Sequence, residues 1–269
     1  MSFGWPHRHF RVTDSTNERA RELVEAGAPG GTVVTAREQT EGRGRRGRVW
    51  TAPEGKALLY SAILRPLDER HLLLPLSVPL AVCAAAEQLR PGAECQVKWP
   101  NDVWLDSRKL AGILIEAKPQ ESWAVIGVGL NLSIAPDEFP PDLRHPAVSL
   151  FSSHGEVRGR GSDGRSPLLS VGPPPPNPFP AAAPAGLPPT PSIVAEALNR
   201  QLNRWVEASD EEVLVEWRRR DGLRGREISW DEGKSSGVAD GIDDRGNLVV
   251  ALAGGGRAVL GSGEVQIRL

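Results

Sequence analysis

Residues 94 to 132 read ECQVKWPNDVWLDSRKLAGILIEAKPQESWAVIGVGLNL. Three of its pieces, ECQVKW, KLAGILIEA and SWAVIGVGLNL, are short runs rich in Val, Ile and Leu and bounded by turn residues. That combination predicts strands. Upstream, GTVVTA from Gly31 and KALLYSAIL from Lys56 have the same character and are expected in the same mixed sheet. Between KALLYSAIL and ECQVKW, Leu72 to Leu89 is apolar almost all round, with Pro75 and Pro79 near its beginning. It predicts a buried helix with an irregular first turn. Nearer the start, Ser15, Thr16, Asn17 and Glu18 match the S-x-x-E capping box, Ala20, Leu23 and Val24 follow at helical spacing, and Gly27 stands where a helix stops.

Beyond this core the chain changes character twice. From Gly172 to Pro191 the sequence GPPPPNPFPAAAPAGLPPTP holds ten prolines, which neither continue a helix nor donate to a sheet ladder. With the Gly, Ser and Arg rich piece before it, this makes one low-complexity insert over 152–191. Ser192 to Glu207 and Asp210 to Arg220 then carry helical periodicity. From about Arg224, short strands (EISW, SSGVADGID, GNLVVAL, RAVLGSGEVQIRL) alternate with Gly-rich turns, predicting a small all-β barrel. The expected organisation is an α+β domain over 1–222, a mixed sheet with flanking helices interrupted by the insert, followed by a β-barrel domain over 223–269.

Composition narrows the function classes. Of 269 residues, 39% are hydrophobic and 25% charged, which excludes chain-wide disorder. No run approaches the roughly 18 apolar residues of a membrane span, and MSFGWPHRHFRV lacks the apolar stretch of a secretory signal. A cytoplasmic protein without membrane attachment is expected. A net charge of -2 argues against wholesale nucleic-acid binding. Cys83 and Cys95 are too few for a disulfide scaffold or a zinc site, and the five histidines show no ligand spacing.

Three clusters carry chemistry. In Gly42 to Arg48, GRGRRGR, four arginines alternate with three glycines, joining a backbone that allows close approach to guanidinium forks that bind phosphate or carboxylate. The run reads as an anion clamp or as a solvated basic loop, and it matches neither a Walker A loop nor G-x-G-x-x-G. Lys98 to Asp102, KWPND, places a lysine, a carboxamide and a carboxylate at a strand end, where plain turn chemistry is the alternative. Lys109 opens an apolar strand, either snorkelling to solvent or aimed into a pocket. Gly127, Gly129 and Asn131 in GVGLN suggest a strand that a ligand or neighbouring backbone approaches closely.

In order, DSTN from Asp14, QTEGRGRRGR with Trp50, KWPND with KLAGILIE, and GVGLN resemble the motifs of the biotin protein ligases, also called biotin-[acetyl-CoA-carboxylase] ligases. The resemblance covers about Val12 to Leu150 and resumes from about Ile193 to Leu269, where GVADGID and GEVQIRL resemble the family's small SH3-like C-terminal domain. It implies a class II aminoacyl-tRNA-synthetase-like catalytic fold and a two-step reaction. Biotin and ATP, with magnesium, give biotinyl-5'-AMP, and the biotinyl group passes to a lysine of a biotin carboxyl carrier protein, part of acetyl-CoA carboxylase or a related carboxylase.

Residue by residue, the resemblance implies that Ser15, Thr16, Asn17 and Gln39 bind the ureido end of biotin, while Arg43, Gly44 and Arg45 cover its carboxylate and the α-phosphate. Arg46 and Arg48 become candidates for the ATP phosphates and Trp50 for a wall of the pocket. Lys109 corresponds to the biotin-binding lysine at the reacting centre, Lys98 and Asn101 to nucleotide-phosphate contacts, and Asp102 to a group orienting the acceptor lysine or a magnesium ion. Asn131 and the loop from Ser133 to Ser149 are implied adenosine contacts. The resemblance leaves room for a homodimer. Two departures stand out: the first motif begins at Asp14, leaving no space for the DNA-binding domain of some members, so no DNA partner is expected, and the Pro-rich insert replaces a shorter connection. A lipoate or octanoyl ligase, a nucleic-acid-binding module and a catalytically silent homologue are the competing readings.

Overall fold

A computed structural model of the chain describes residues 1–141, 143, 145–151, 189–261, 263 and 265–267. The insert expected over 152–191 therefore falls outside the described residues as far as 188. Seven strands form the main sheet: β1 (His7–Thr13), β2 (Val33–Gln39), β3 (Ala57–Leu64), β4 (Cys95–Lys98), β5 (Asp102–Leu105), β6 (Arg108–Lys118) and β7 (Trp123–Asn131). Their order is β1-β2-β3-β7-β6-β5-β4. Only β1 and β2 pair in parallel, and every other neighbouring pair is antiparallel.

The continuous apolar run of β3 has a simple cause. All of its residues are buried because both faces of the sheet are covered. On one face, α1 (Thr16–Glu25) packs Ala20 and Val24 against Val34, Ile63 and Val125. On the other, α2 (Leu74–Leu89), α3 (Pro191–Trp205) and α4 (Asp210–Arg219) share a core with Leu58, Tyr60, Ala62 and Leu64. Alternate residues of one strand thus belong to different cores. α2 is buried on nearly every side and takes up Pro79 in its interior, as its unbroken apolarity implies.

Arg220, just beyond α4, ties this helical layer to the sheet. Its guanidinium donates to both oxygens of Glu87 (2.5 and 2.8 Å), to Glu216 Oε1 (2.6 Å) and to the carbonyl of Cys95 in β4 (3.0 Å).

The C-terminal residues build a second antiparallel sheet from β8 (Glu227–Trp230), β9 (Ser235–Ile242), β10 (Leu248–Ala251), β11 (Arg257–Leu260) and β12 (Gln266–Ile267), in the order β11-β10-β9-β8-β12. This matches the small β domain expected. It shares the core of the main domain through Ile228, Ile242, Leu248 and Val250, and one turn adds a polar contact: Asp243 accepts from the amides of Arg245 and Asn247, and Trp99 Nε1 donates to Gly246 O (3.1 Å).

Three local features differ from the sequence reading. The Ser15 side chain makes no cap hydrogen bond to α1; Glu18, its supposed partner, instead pairs with Arg21 and Arg43, so the capping box is absent. β1 and β5 were not foreseen: β1 has an exposed, charged edge pattern, and β5 is four residues long and opens on the last residue of KWPND.

Candidate active site

Three glycines shape the floor of a cleft on the α1 face. Gly112 lies directly opposite Gly129, and Gly127 is the next residue on the same face of β7, so the absence of side chains there leaves a trough. Of the two expected occupants, ligand or neighbouring backbone, the backbone is not what comes close: side chains enter the trough. A Cβ at Gly127 would collide with Asn17, and one at Gly129 with the indole of Trp50. The space above, with its mouth, amounts to about 910 Å³.

One end of the cleft is neutral. Ser15, Thr16 and Asn17 are buried at the start of α1. Gln39 Oε1 accepts from Thr16 N (2.7 Å) and Thr16 Oγ1 (2.9 Å). Ser61 of β3 places its hydroxyl 2.8 Å from Thr16 Oγ1 and 2.6 Å from Asn17 Oδ1. Asn17 Nδ2 donates to Glu116 Oε2 of β6 (2.7 Å). The sequence reading missed Ser61 and Glu116, although each is a polar residue inside an otherwise apolar strand.

The other end is cationic. Among the described residues six basic side chains (Arg43, Arg45, Arg46, Arg48, Lys98 and Lys109) line the cleft against one carboxylate, Asp102, so the field there favours an anion. The arginine loop folds back on itself through Gly44 N to Arg48 O (2.8 Å) and Trp50 N to Gly42 O (2.9 Å). Arg43 pairs with Glu18 at 2.8 Å. Arg45 Nη1 reaches Asn101 Oδ1 (3.3 Å), linking the loop to KWPND. Lys109 Nζ sits 2.9 Å from Asp102 Oδ1 and 5.7 Å from the centre of the Trp50 ring. Lys98 is buried with its ammonium 5.9 Å from the Trp104 ring centre.

Nearly every candidate meets in this one cleft: Ser15, Thr16, Asn17, Gln39, Arg43, Gly44, Arg45, Arg46, Arg48, Trp50, Lys98, Asn101, Asp102 and Lys109 all line it. Asn131 does not. Its carboxamide is buried behind Lys109, donating to the carbonyls of Val148 (3.1 Å) and Lys109 (3.4 Å). Residues 146–148 run beside Lys109 in turn, with Lys109 N donating to Pro146 O (2.7 Å) and Val148 N to Lys109 O (2.9 Å). Asn131 and this segment brace the lysine from behind, and none of the described residues between Ser133 and Ser149 lines the cleft.

The cleft thus has a neutral end and a cationic end, on a mixed sheet covered by helices. Residues 9–133 match the Biotin/lipoate A/B protein ligase family. Residues 228–268 match the Biotin protein ligase C terminal domain, and with both domains present the chain belongs to the biotin protein ligases.

It is 41% identical over 131 residues to the biotin-[acetyl-CoA-carboxylase] ligase of Paracoccus denitrificans, covering 46% of this chain and 54% of that protein. It is 38% identical over 154 residues to the bifunctional ligase/repressor BirA of Bacillus spizizenii, covering 54% of this chain and 46% of that protein. The chain thus spans about half the length of the curated relatives it matches. Among solved structures, biotin protein ligase from Aquifex aeolicus in complex with biotin and ATP superposes with a TM-score of 0.69 at 26% identity, covering 98% of this chain and 99% of that one. Among the described residues no helix is long and apolar enough to cross a membrane.

Proposed function

We propose that the protein activates biotin with ATP as biotinyl-5'-AMP and then transfers the biotinyl group to one lysine of a biotin carboxyl carrier domain, that of acetyl-CoA carboxylase or a related carboxylase. The observation that carries this reading is the division of a single cleft into a neutral, hydrogen-bonding end and a cationic end. A ureido ring needs donors and acceptors rather than ions, and Ser15, Thr16, Asn17 and Gln39 supply them. A carboxylate and a triphosphate repel one another, so the site that joins them needs fixed positive charge on both.

In the first step a biotin carboxylate oxygen attacks the α-phosphorus and pyrophosphate leaves. Lys109, held by Asp102, stands at the reacting centre, with Arg43 and Arg45 over the carboxylate and α-phosphate. Lys98, Asn101, Arg46 and Arg48 receive the remaining phosphates. Trp50 walls the cleft and limits the access of water to the mixed anhydride. In the second step an uncharged lysine amine attacks the acyl carbon, AMP departs and the amine gives up a proton.

Magnesium accompanies ATP in such reactions. Among the described residues the lining does not fit a resident ion: its one carboxylate, Asp102, is engaged by Lys109, and no three His, Cys, Asp or Glu side chains gather. No step above is routed through the metal.

The test is to incubate the protein with biotin, MgATP and a biotin carboxyl carrier domain and to measure the carrier's intact mass, with a lipoyl domain and lipoate in parallel. Gain of one biotinyl group on the first carrier alone is expected. Modification of the lipoyl domain instead would move the assignment to the lipoate branch. Biotin binding without transfer would mark a silent homologue, and no biotin binding would overturn the reading.

A further inference from the structure

The neutral end of the cleft contains a hydrogen-bond chain whose direction one carboxylate decides. Gln39 Oε1 takes the protons of both Thr16 N–H and Thr16 Oγ1–H, so the Thr16 oxygen is left as an acceptor toward Ser61. Ser61 has one proton and two acceptors in reach, Thr16 Oγ1 at 2.8 Å and Asn17 Oδ1 at 2.6 Å. With Asn17 in this orientation the chain is one proton short. If the amide were turned over, Asn17 Nδ2 would donate to Ser61, Ser61 to Thr16 and Thr16 to Gln39, and the chain would close. The turned amide is blocked at the far side, where Glu116 Oε2 at 2.7 Å and the carbonyl of Leu114 at 3.4 Å both require a donor.

We infer that Glu116 is a positioning residue for ligand specificity: by demanding the NH₂ group of Asn17, it keeps the amide oxygen on the side of Ser61 and Gly127, so that this wall of the cleft presents an acceptor and selects a ring bearing N–H. The oxygen's second lone pair remains for that ring N–H. Gly127 makes the arrangement feasible, since a Cβ there would strike Asn17 Oδ1. The inference rests on the biotin reading above and adds to it the residue that sets the polarity of the ring site.

The test uses the full-length protein and three variants, with biotin affinity measured by calorimetry and ATP affinity as the control for a folded site. Glu116→Gln can meet Asn17 in either orientation and leaves only the long 3.4 Å contact to the Leu114 carbonyl asking for a donor. The closed chain then favours the turned amide, which sets a donor against the ring N–H. Biotin affinity is expected to fall about 10- to 100-fold, the cost of a mismatched buried donor, with ATP affinity unchanged.

Asn17→Asp alone places two carboxylates side by side and should lose affinity as well. Asn17→Asp combined with Glu116→Gln restores an acceptor facing the ring and a donor behind it, and is expected to return within about fivefold of the wild-type affinity. Wild-type affinity in Glu116→Gln, or no recovery in the double variant, overturns the inference. A wild-type protein that takes up no biotin at all overturns the proposed function instead. A Glu116→Gln protein that loses ATP binding along with biotin identifies a structural carboxylate and overturns the inference too.

Discussion

Two glycines facing each other under one indole give a quantitative test of the cleft. A methyl group added at Gly112 would lie 3.0 Å from Trp50 Cζ3 and 3.3 Å from Lys109 Cε, contacts relieved by a shift of a few tenths of an ångström. A methyl added at Gly129 would overlap the fused edge of the indole, and the ring has to leave the floor. Trp50 is half-buried on a loop, so little folding stability depends on it.

The cost falls on the site. Displacement removes the ring from beside the Lys109 ammonium, worth about 0.5–2 kcal/mol, and overpacking of this size costs about 1–3 kcal/mol. The two together come to about 1.5–5 kcal/mol, so Gly129→Ala should slow biotin-dependent pyrophosphate release from ATP by about 10-fold to about 5,000-fold. Gly112→Ala should slow it less than about threefold. Both variants should unfold at the wild-type temperature within a few degrees. In a Trp50→Ala background the Gly129→Ala penalty should shrink below about twofold, because the clashing partner is gone. Equal penalties at the two glycines, or an undiminished Gly129→Ala penalty without Trp50, would refute the reasoning.

Other outcomes follow from the same geometry. Lys109→Ala should depress adenylate formation itself, whereas Arg45→Gly should form adenylate but release it to solvent; quench-flow with labelled ATP separates the two. Arg220→Ala removes a guanidinium that engages Glu87, Glu216 and the Cys95 carbonyl, and because Glu87 is partly exposed the loss should be about 2–4 kcal/mol, read as a lower urea midpoint. Glu216 is held at about 2, below its ordinary 4.5, by hydrogen bonds from Arg219 and then Arg220. Its folded value is depressed, so its contribution is complete above pH 4.5 and is lost as pH falls toward 2. The stability difference between wild type and Glu216→Gln should therefore shrink between pH 5 and pH 2.5.

Much of the sheet was legible because its central strands are buried on both faces and so carry unbroken apolar runs, as in KALLYSAIL. β1 escaped notice because this edge strand buries none of its residues and tolerates HRHFRVT, whose pattern advertises no core. β5 was hidden because its four residues begin at Asp102, a residue already claimed by a motif. The capping box failed for a related reason: Ser15 and Glu18 fit a local rule, but the cleft and the arginine loop use them for other contacts. Most candidate site residues converge because each cluster ends a strand or opens a helix at the same side of the sheet. Asn131 does not join them, since spacing locates a residue on a strand without revealing which neighbour takes its amide. Ser61 and Glu116 were visible only as isolated polar letters in apolar words, a signal that acquires meaning once Asn17 is seen between them.

The bond from the Trp99 indole to the Gly246 carbonyl ties the C-terminal domain to the KWPND turn. Trp99 lies between Lys98 and Asn101, which both face the cleft, so the KWPND turn touches the arginine loop through Arg45 on one side and the β domain on the other. Removing the domain would do more than delete an appendage: it would leave a buried indole N–H without its acceptor and slacken β4 and β5, which amide exchange along Gln96 to Leu105 would register far from the cut.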